Sequence, residues 1–244
     1  METSKIAVIL LGQTRTYRYC NEVIMKLFDG YDVDYYCQFW DNDRHIDRAT
    51  NLYKPVHVKI DKNVEFNTLI HSIDFSNRCK DRSPRACLNT FRMYYTFNGI
   101  SDILKDKKYS KVIRCRYDLM FNQKIPNKIL FSNNDYIYIP STYNWYGLND
   151  QFAIGNQNVM NRYFDIWHWL TNIYDGIINP EIILYEYLKS QKIPRYHFDI
   201  DYKILRPTCV RKPYNRIRVH PDPFNQKSDR FGYEHRVHIN GYDE

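Results

Sequence analysis

The stretch Lys111-Val112-Ile113-Arg114-Cys115-Arg116-Tyr117-Asp118-Leu119-Met120-Phe121 sets the reading of the chain around it. It is short, apolar and β-branched, as a buried strand is, yet it carries arginines and an aspartate toward its downstream end. Strand alternation puts Val112, Arg114, Arg116 and Asp118 on one face. Cations two residues apart beside a carboxylate are costly to bury unless a polyanion or a metal pairs with them. Ligands of open α/β sheets sit at the carboxyl ends of the strands, which is where Arg116 and Asp118 fall. An internal Arg/Asp ion pair accounts for the same spacing, because structural networks also gather charge.

Upstream, Lys5-Ile6-Ala7-Val8-Ile9-Leu10-Leu11 is a continuous apolar run closed by Gly12, the pattern of a central parallel strand covered on both faces. The loop Gly12-Gln13-Thr14-Arg15-Thr16 leads into a helix over Tyr19 to Phe28, with Val23, Ile24, Leu27 and Phe28 at helical spacing. Such a loop could cradle a nucleotide, although a plain strand-to-helix turn needs no more than this. A second strand, Tyr31 to Trp40, ends in Asp41-Asn42-Asp43, and a third spans Val56 to Ile60. Glu65 to Arg85 reads as polar and irregular with Pro84 as its stop, followed by one long helix from Cys87 to Leu104 that Gly99 weakens.

Downstream come a short strand over Asp135 to Pro140, a polar approach Gly147 to Gly155 into another strand, and a helix over Asn158 to Trp169. Pro180-Glu181 opens a further helix, with proline at the first helical position and a carboxylate complementing the dipole in the first turn. Tyr202 to Arg206 is strand-like. Alternating strands and helices predict an α/β fold, a mostly parallel Rossmann-like central sheet with helices on both faces.

The 244 residues fit one such domain. Thirty-five Lys and Arg against 28 Asp and Glu give a net charge of +7, which suits a phosphate-bearing ligand and is too weak to argue for a nucleic-acid partner. The one dense basic stretch, Arg206, Arg211, Lys212, Arg216 and Arg218, reads as a solvated tail; with Tyr214 and Phe224 for stacking, it is also the only feature suggesting single-stranded nucleic acid. No apolar run approaches the ~20 residues of a membrane span and no charged-then-apolar leader opens the chain, so a soluble, cytoplasmic protein is expected. Six cysteines lie far apart with no CxxC pair, indicating neither a zinc site nor a disulfide framework.

The order of these stretches resembles GT-A type glycosyltransferases, in particular the small divergent ones of large DNA viruses and bacterial surface-polysaccharide clusters. The resemblance is carried by Gly12-Gln13-Thr14-Arg15 after the opening strand, Asn89-Thr90-Phe91-Arg92-Met93-Tyr94-Tyr95, Val112 to Asp118, Gly147-Leu148-Asn149-Asp150-Gln151-Phe152, and Asn179-Pro180-Glu181. It implies a transferase core over residues 1–206, with the basic segment 207–244 packed over or beside the active site. It also implies a reaction in which a sugar passes from a nucleotide-diphosphate donor to a hydroxyl of a glycan or polysaccharide.

What the resemblance implies for residues is specific. Gly12, Gln13, Thr14, Arg15, Asp41, Arg92, Arg114 and Arg116 would hold the donor, and Glu181 or Asp150 would act on the acceptor or the sugar. In the family a DxD motif binds a divalent metal on the diphosphate; here Arg116-Tyr117-Asp118 holds that place, with Arg116 replacing the first acid. Asp118 and His220 would then hold Mn²⁺ or Mg²⁺, or Arg114 or Arg116 would neutralise the diphosphate directly, since a guanidinium forks onto phosphate oxygens. The missing acid equally fits an inactive sugar- or nucleotide-binding module.

Overall fold

The computed structural model describes residues 5–71 and 83–206. In chain order these form β1 (Ile6–Leu11), α1 (Tyr17–Lys26), β2 (Val33–Trp40), α2 (Ile46–Tyr53), β3 (His57–Asp61), α3 (Asn63–His71), α4 (Pro84–Tyr95), α5 (Ile100–Leu104), β4 (Lys111–Arg116), β5 (Leu119–Phe121) and α6 (Asn127–Leu130). There follow β6 (Ile137–Pro140), β7 (Phe152–Gly155), α7 (Gln157–Phe164), α8 (Ile166–Asn172), α9 (Pro180–Ser190), β8 (Arg195–Phe198) and β9 (Tyr202–Ile204).

The main sheet has strand order β3-β2-β1-β4-β7-β6-β8, and β5 pairs with β9 in a separate ribbon. Within the main sheet only β7 runs against its neighbours; all other pairings are parallel. Every residue of β1 is buried, and alternation divides it between two cores. Ala7, Ile9 and Leu11 pack on the side that also buries Phe66 of α3, Phe91 and Tyr94 of α4, Tyr163 of α7 and Leu184 of α9. Ile6, Val8 and Leu10 pack with Cys20 and Ile24 of α1 and with Ala49 and Tyr53 of α2. The expected α/β architecture, a mostly parallel sheet with helices on both faces, is therefore the observed one.

Several boundaries differ from the sequence expectation. Asn63–His71 is helical rather than irregular, with Phe66 and Ile70 turned inward. Pro84, expected to close the irregular stretch ahead of a helix from Cys87, already stands in the first turn of α4, where Ser83 accepts the amide of Ala86. Gly99, at φ 76, turns the chain left-handed and divides the expected single helix into α4 and α5. The decisive run 111–121 is two strands, because the chain turns at Tyr117-Asp118. Cys87 is disulfide-bonded, where the cysteine spacing indicated no disulfide framework. No helix among the described residues is long and apolar enough to cross a membrane. The basic segment 207–244, with His220, lies outside the described residues.

Candidate functional site

Asp118 sits in the turn at the carboxyl end of β4, only 1% exposed. Arg116 donates to both of its oxygens, Nε to Oδ1 at 2.8 Å and Nη2 to Oδ2 at 2.7 Å. A second guanidinium, Arg206, lies 3.5 Å from Oδ2. Arg206 reaches this point because β9 pairs with β5, directly after the turn. Leu205 then donates its amide to the Asp118 carbonyl and accepts Thr16 Oγ1 with its own. Burial by itself would push the Asp118 carboxyl up, but the charge and hydrogen bonds of Arg116, and the charges of Arg206 and Arg15, hold it below the usual carboxylate range.

The loop after β1 stands beside this cluster. Burial lowers the Arg15 pKa, the Asp118 charge opposes that shift and the Arg116 charge adds to it, so the loop's guanidinium is electrically part of the same group. Arg15 also donates to Gln13. Thr14, 1% exposed, donates to the carboxylate of Asp43, and the Gly12 amide donates to Gln38 Oε1 at 3.3 Å. Gln38 is in turn oriented by its 2.8 Å bond to Asp61, the partner of Lys59. Asp41 accepts the amide and side chain of Asn63, tying the end of β2 to the start of α3. Arg92 belongs to this second group: it lies over Trp40 and Phe66 and donates to Asn67.

The two candidate catalytic carboxylates converge from different elements. Glu181 occupies the first turn of α9, whose cap is Asn179, not Glu181 itself. Asp150 precedes β7, in a segment held against α9 by the bond from the Leu148 amide to the Glu181 carbonyl at 2.9 Å. Gly147 permits this approach, since a Cβ there would come 2.0 Å from that carbonyl oxygen. Tyr94, which donates to the Pro180 carbonyl, feels the charge of both acids. Its burial first, then the charges of Asp150, Tyr163 and Glu181, raise its pKa well above the ordinary value, against the pull of Arg114.

Asp150 is 4% exposed and accepts no hydrogen bond from any described residue. Its flanks are fully engaged: Asn149 accepts the amides of Gln151 and Phe152 and donates to Tyr202, which donates to Gln151. Arg114 is 1% exposed, lies 5.5 Å from the Phe97 ring centroid, and has Nε and Nη1 buried with no hydrogen-bond partner. A buried guanidinium with donors left unsatisfied is costly to the fold and calls for an explanation such as a bound acceptor.

The described residues supply only Asp118 of the ligand set that the resemblance implies for a divalent metal, His220 lying outside them. Among them no group of three His, Cys, Asp or Glu side chains could hold a metal ion. Both Asp118 oxygens accept from Arg116, and the neighbouring charges of Arg206 and Arg15 are positive. The sequence reading missed Arg206 as a site residue. The signal was available, since Tyr202 to Arg206 ends in a cation just as β4 does. Tyr94 was not distinguishable, because its spacing is that of any core-facing helical residue.

No family model and no curated protein matches the chain. Among solved structures, mouse xyloside xylosyltransferase 1 in its apo form is similar over 80% of this chain and 84% of that one, at 10% identity and a TM-score of 0.45.

Proposed function

We propose that this chain is a glycosyltransferase that moves a sugar from a nucleotide-diphosphate donor to a hydroxyl of a glycan acceptor. The observation that supports the reading is the buried guanidinium of Arg114, whose Nε and Nη1 have no hydrogen-bond partner among the described residues, on the strand that ends in Arg116 and turns at Asp118. Buried donors left in that state are ones that the oxygens of a bound diphosphate can complete.

In this reading the loop Gly12 to Arg15 lies against the donor nucleotide, with Asp41 and Arg92 at its outer side, and Arg114 and Arg116 face the diphosphate. The acceptor oxygen forms a bond to the anomeric carbon, the bond from that carbon to the diphosphate oxygen breaks, and the nucleoside diphosphate leaves with the electron pair. The acceptor proton passes to Glu181, while Asp150 accepts hydrogen bonds from the sugar. Rate enhancement comes from charge stabilisation at the leaving diphosphate and from the positioned base.

A panel of sugar nucleotides, screened by thermal shift and then for transfer or donor hydrolysis, tests this. One donor at 100 times its Kd should stabilise the fold by ~2.7 kcal/mol. Failure of every donor to shift the melting temperature would refute the assignment. A shift without turnover favours the inactive binding module, the reading that the Arg116 replacement also suits.

A further inference from the structure

In the turn after β4, three guanidiniums surround one buried carboxylate. Arg116 forks onto Asp118 through both oxygens, Arg206 stands 3.5 Å from one of them, and the Arg15 charge reaches both Asp118 and Arg116. Asp150 is the other carboxylate whose charge reaches Arg116, and it makes no ion pair with it. Three guanidiniums from three separate segments thus gather about Asp118 at the carboxyl end of β4. Arg116 keeps 21% and Arg206 41% of its side chain exposed, whereas Asp118 keeps 1%.

We infer that Arg15, Arg116 and Arg206 neutralise the donor diphosphate directly, and that Asp118 is a positioning residue which aims Arg116 instead of a ligand to a divalent cation. This rests on the transferase reading above and specifies how its leaving group is stabilised. The chemistry supports it in two ways. A guanidinium presents paired N–H donors at the spacing of phosphate oxygens. A divalent cation placed at Asp118 would displace Arg116 from its carboxylate and then stand among like charges. As the bond to the anomeric carbon breaks, the electron pair stays on the diphosphate oxygen, and the added negative charge falls where fixed N–H donors already point.

The test is binding of nucleoside diphosphates by calorimetry, with UDP, GDP, CDP and ADP each titrated in EDTA and again in Mn²⁺. One of them should bind with the same affinity in both conditions. Arg15→Ala, at an exposed loop position, should weaken that binding at least tenfold with an unchanged melting temperature. Arg116→Lys should retain part of the affinity that Arg116→Met loses. Binding in Mn²⁺ alone overturns the inference and leaves the transferase reading standing. Binding in EDTA that neither Arg15→Ala nor Arg116→Met weakens also overturns it. If none of the four diphosphates binds in either condition, the transferase reading falls and this inference with it.

Discussion

Arg116 and Asp118 are locked together by two parallel hydrogen bonds, 2.8 and 2.7 Å long, across a turn of the chain that buries the carboxylate and leaves part of the guanidinium exposed. The geometry makes one residue the handle of the other. Asp118 fixes the plane of the guanidinium at the carboxyl end of β4, the end of a sheet where α/β proteins bind ligands.

Asp118→Asn should therefore damage stability and donor handling together. Losing the charged partner of a buried ion pair costs on the order of 3 kcal/mol, and a loosened Arg116 should lower transfer by at least tenfold. Chemical denaturation and steady-state kinetics measure the two effects. Wild-type turnover in the variant would show that the aim of Arg116 is irrelevant to the reaction.

The same pair predicts a sign for pH dependence. The folded Asp118 pKa lies below its unfolded value because Arg116, Arg206 and Arg15 outweigh the cost of burial. Its stabilisation is thus complete above the unfolded carboxyl pKa of about 3.9 and is lost as pH falls through the folded value. The stability gap between wild type and Asp118→Asn should stay constant from neutral pH down to about pH 5 and close in stronger acid. A gap that persists to the acid limit would contradict the pairing.

Gly147→Ala probes the seam that joins the two carboxylates. The added Cβ would meet the Glu181 carbonyl oxygen at 2.0 Å, and backbone cannot move aside as a flexible side chain would. The seam should open at a cost of about 1–3 kcal/mol, and turnover should fall because Asp150 and Glu181 no longer share one frame. Unchanged melting and turnover would show that the close approach is unimportant.

Glu181 and Asp150 separate by kinetics. Glu181→Gln should depress kcat with little change in donor affinity, whereas Asp150→Asn should also raise KM, because Asp150 is the carboxylate proposed to accept hydrogen bonds from the sugar. The reverse pattern would make Asp150 the base. Full turnover in both variants would point to a retaining reaction or to no transferase activity.

The local patterns in the chain were enough for the central elements. β1, β2 and β4 announce themselves by apolar, β-branched runs, and α9 by Pro180 at its first position, because strand alternation and helix capping are written in adjacent residues. α2 and β8 escaped notice since few of their residues turn inward: Ala49 and Tyr53 in one, Phe198 in the other. The charged end of β4 was also legible, as an arginine and an aspartate two residues apart. That they grip each other, that Arg206 returns through the β5–β9 ribbon to join them, and that Gly147 lets Asp150 approach α9 were decided only by the tertiary structure. Those relations join segments far apart in the chain, and they depend on how strands register and helices pack, a balance of burial against desolvation that no local window of sequence contains.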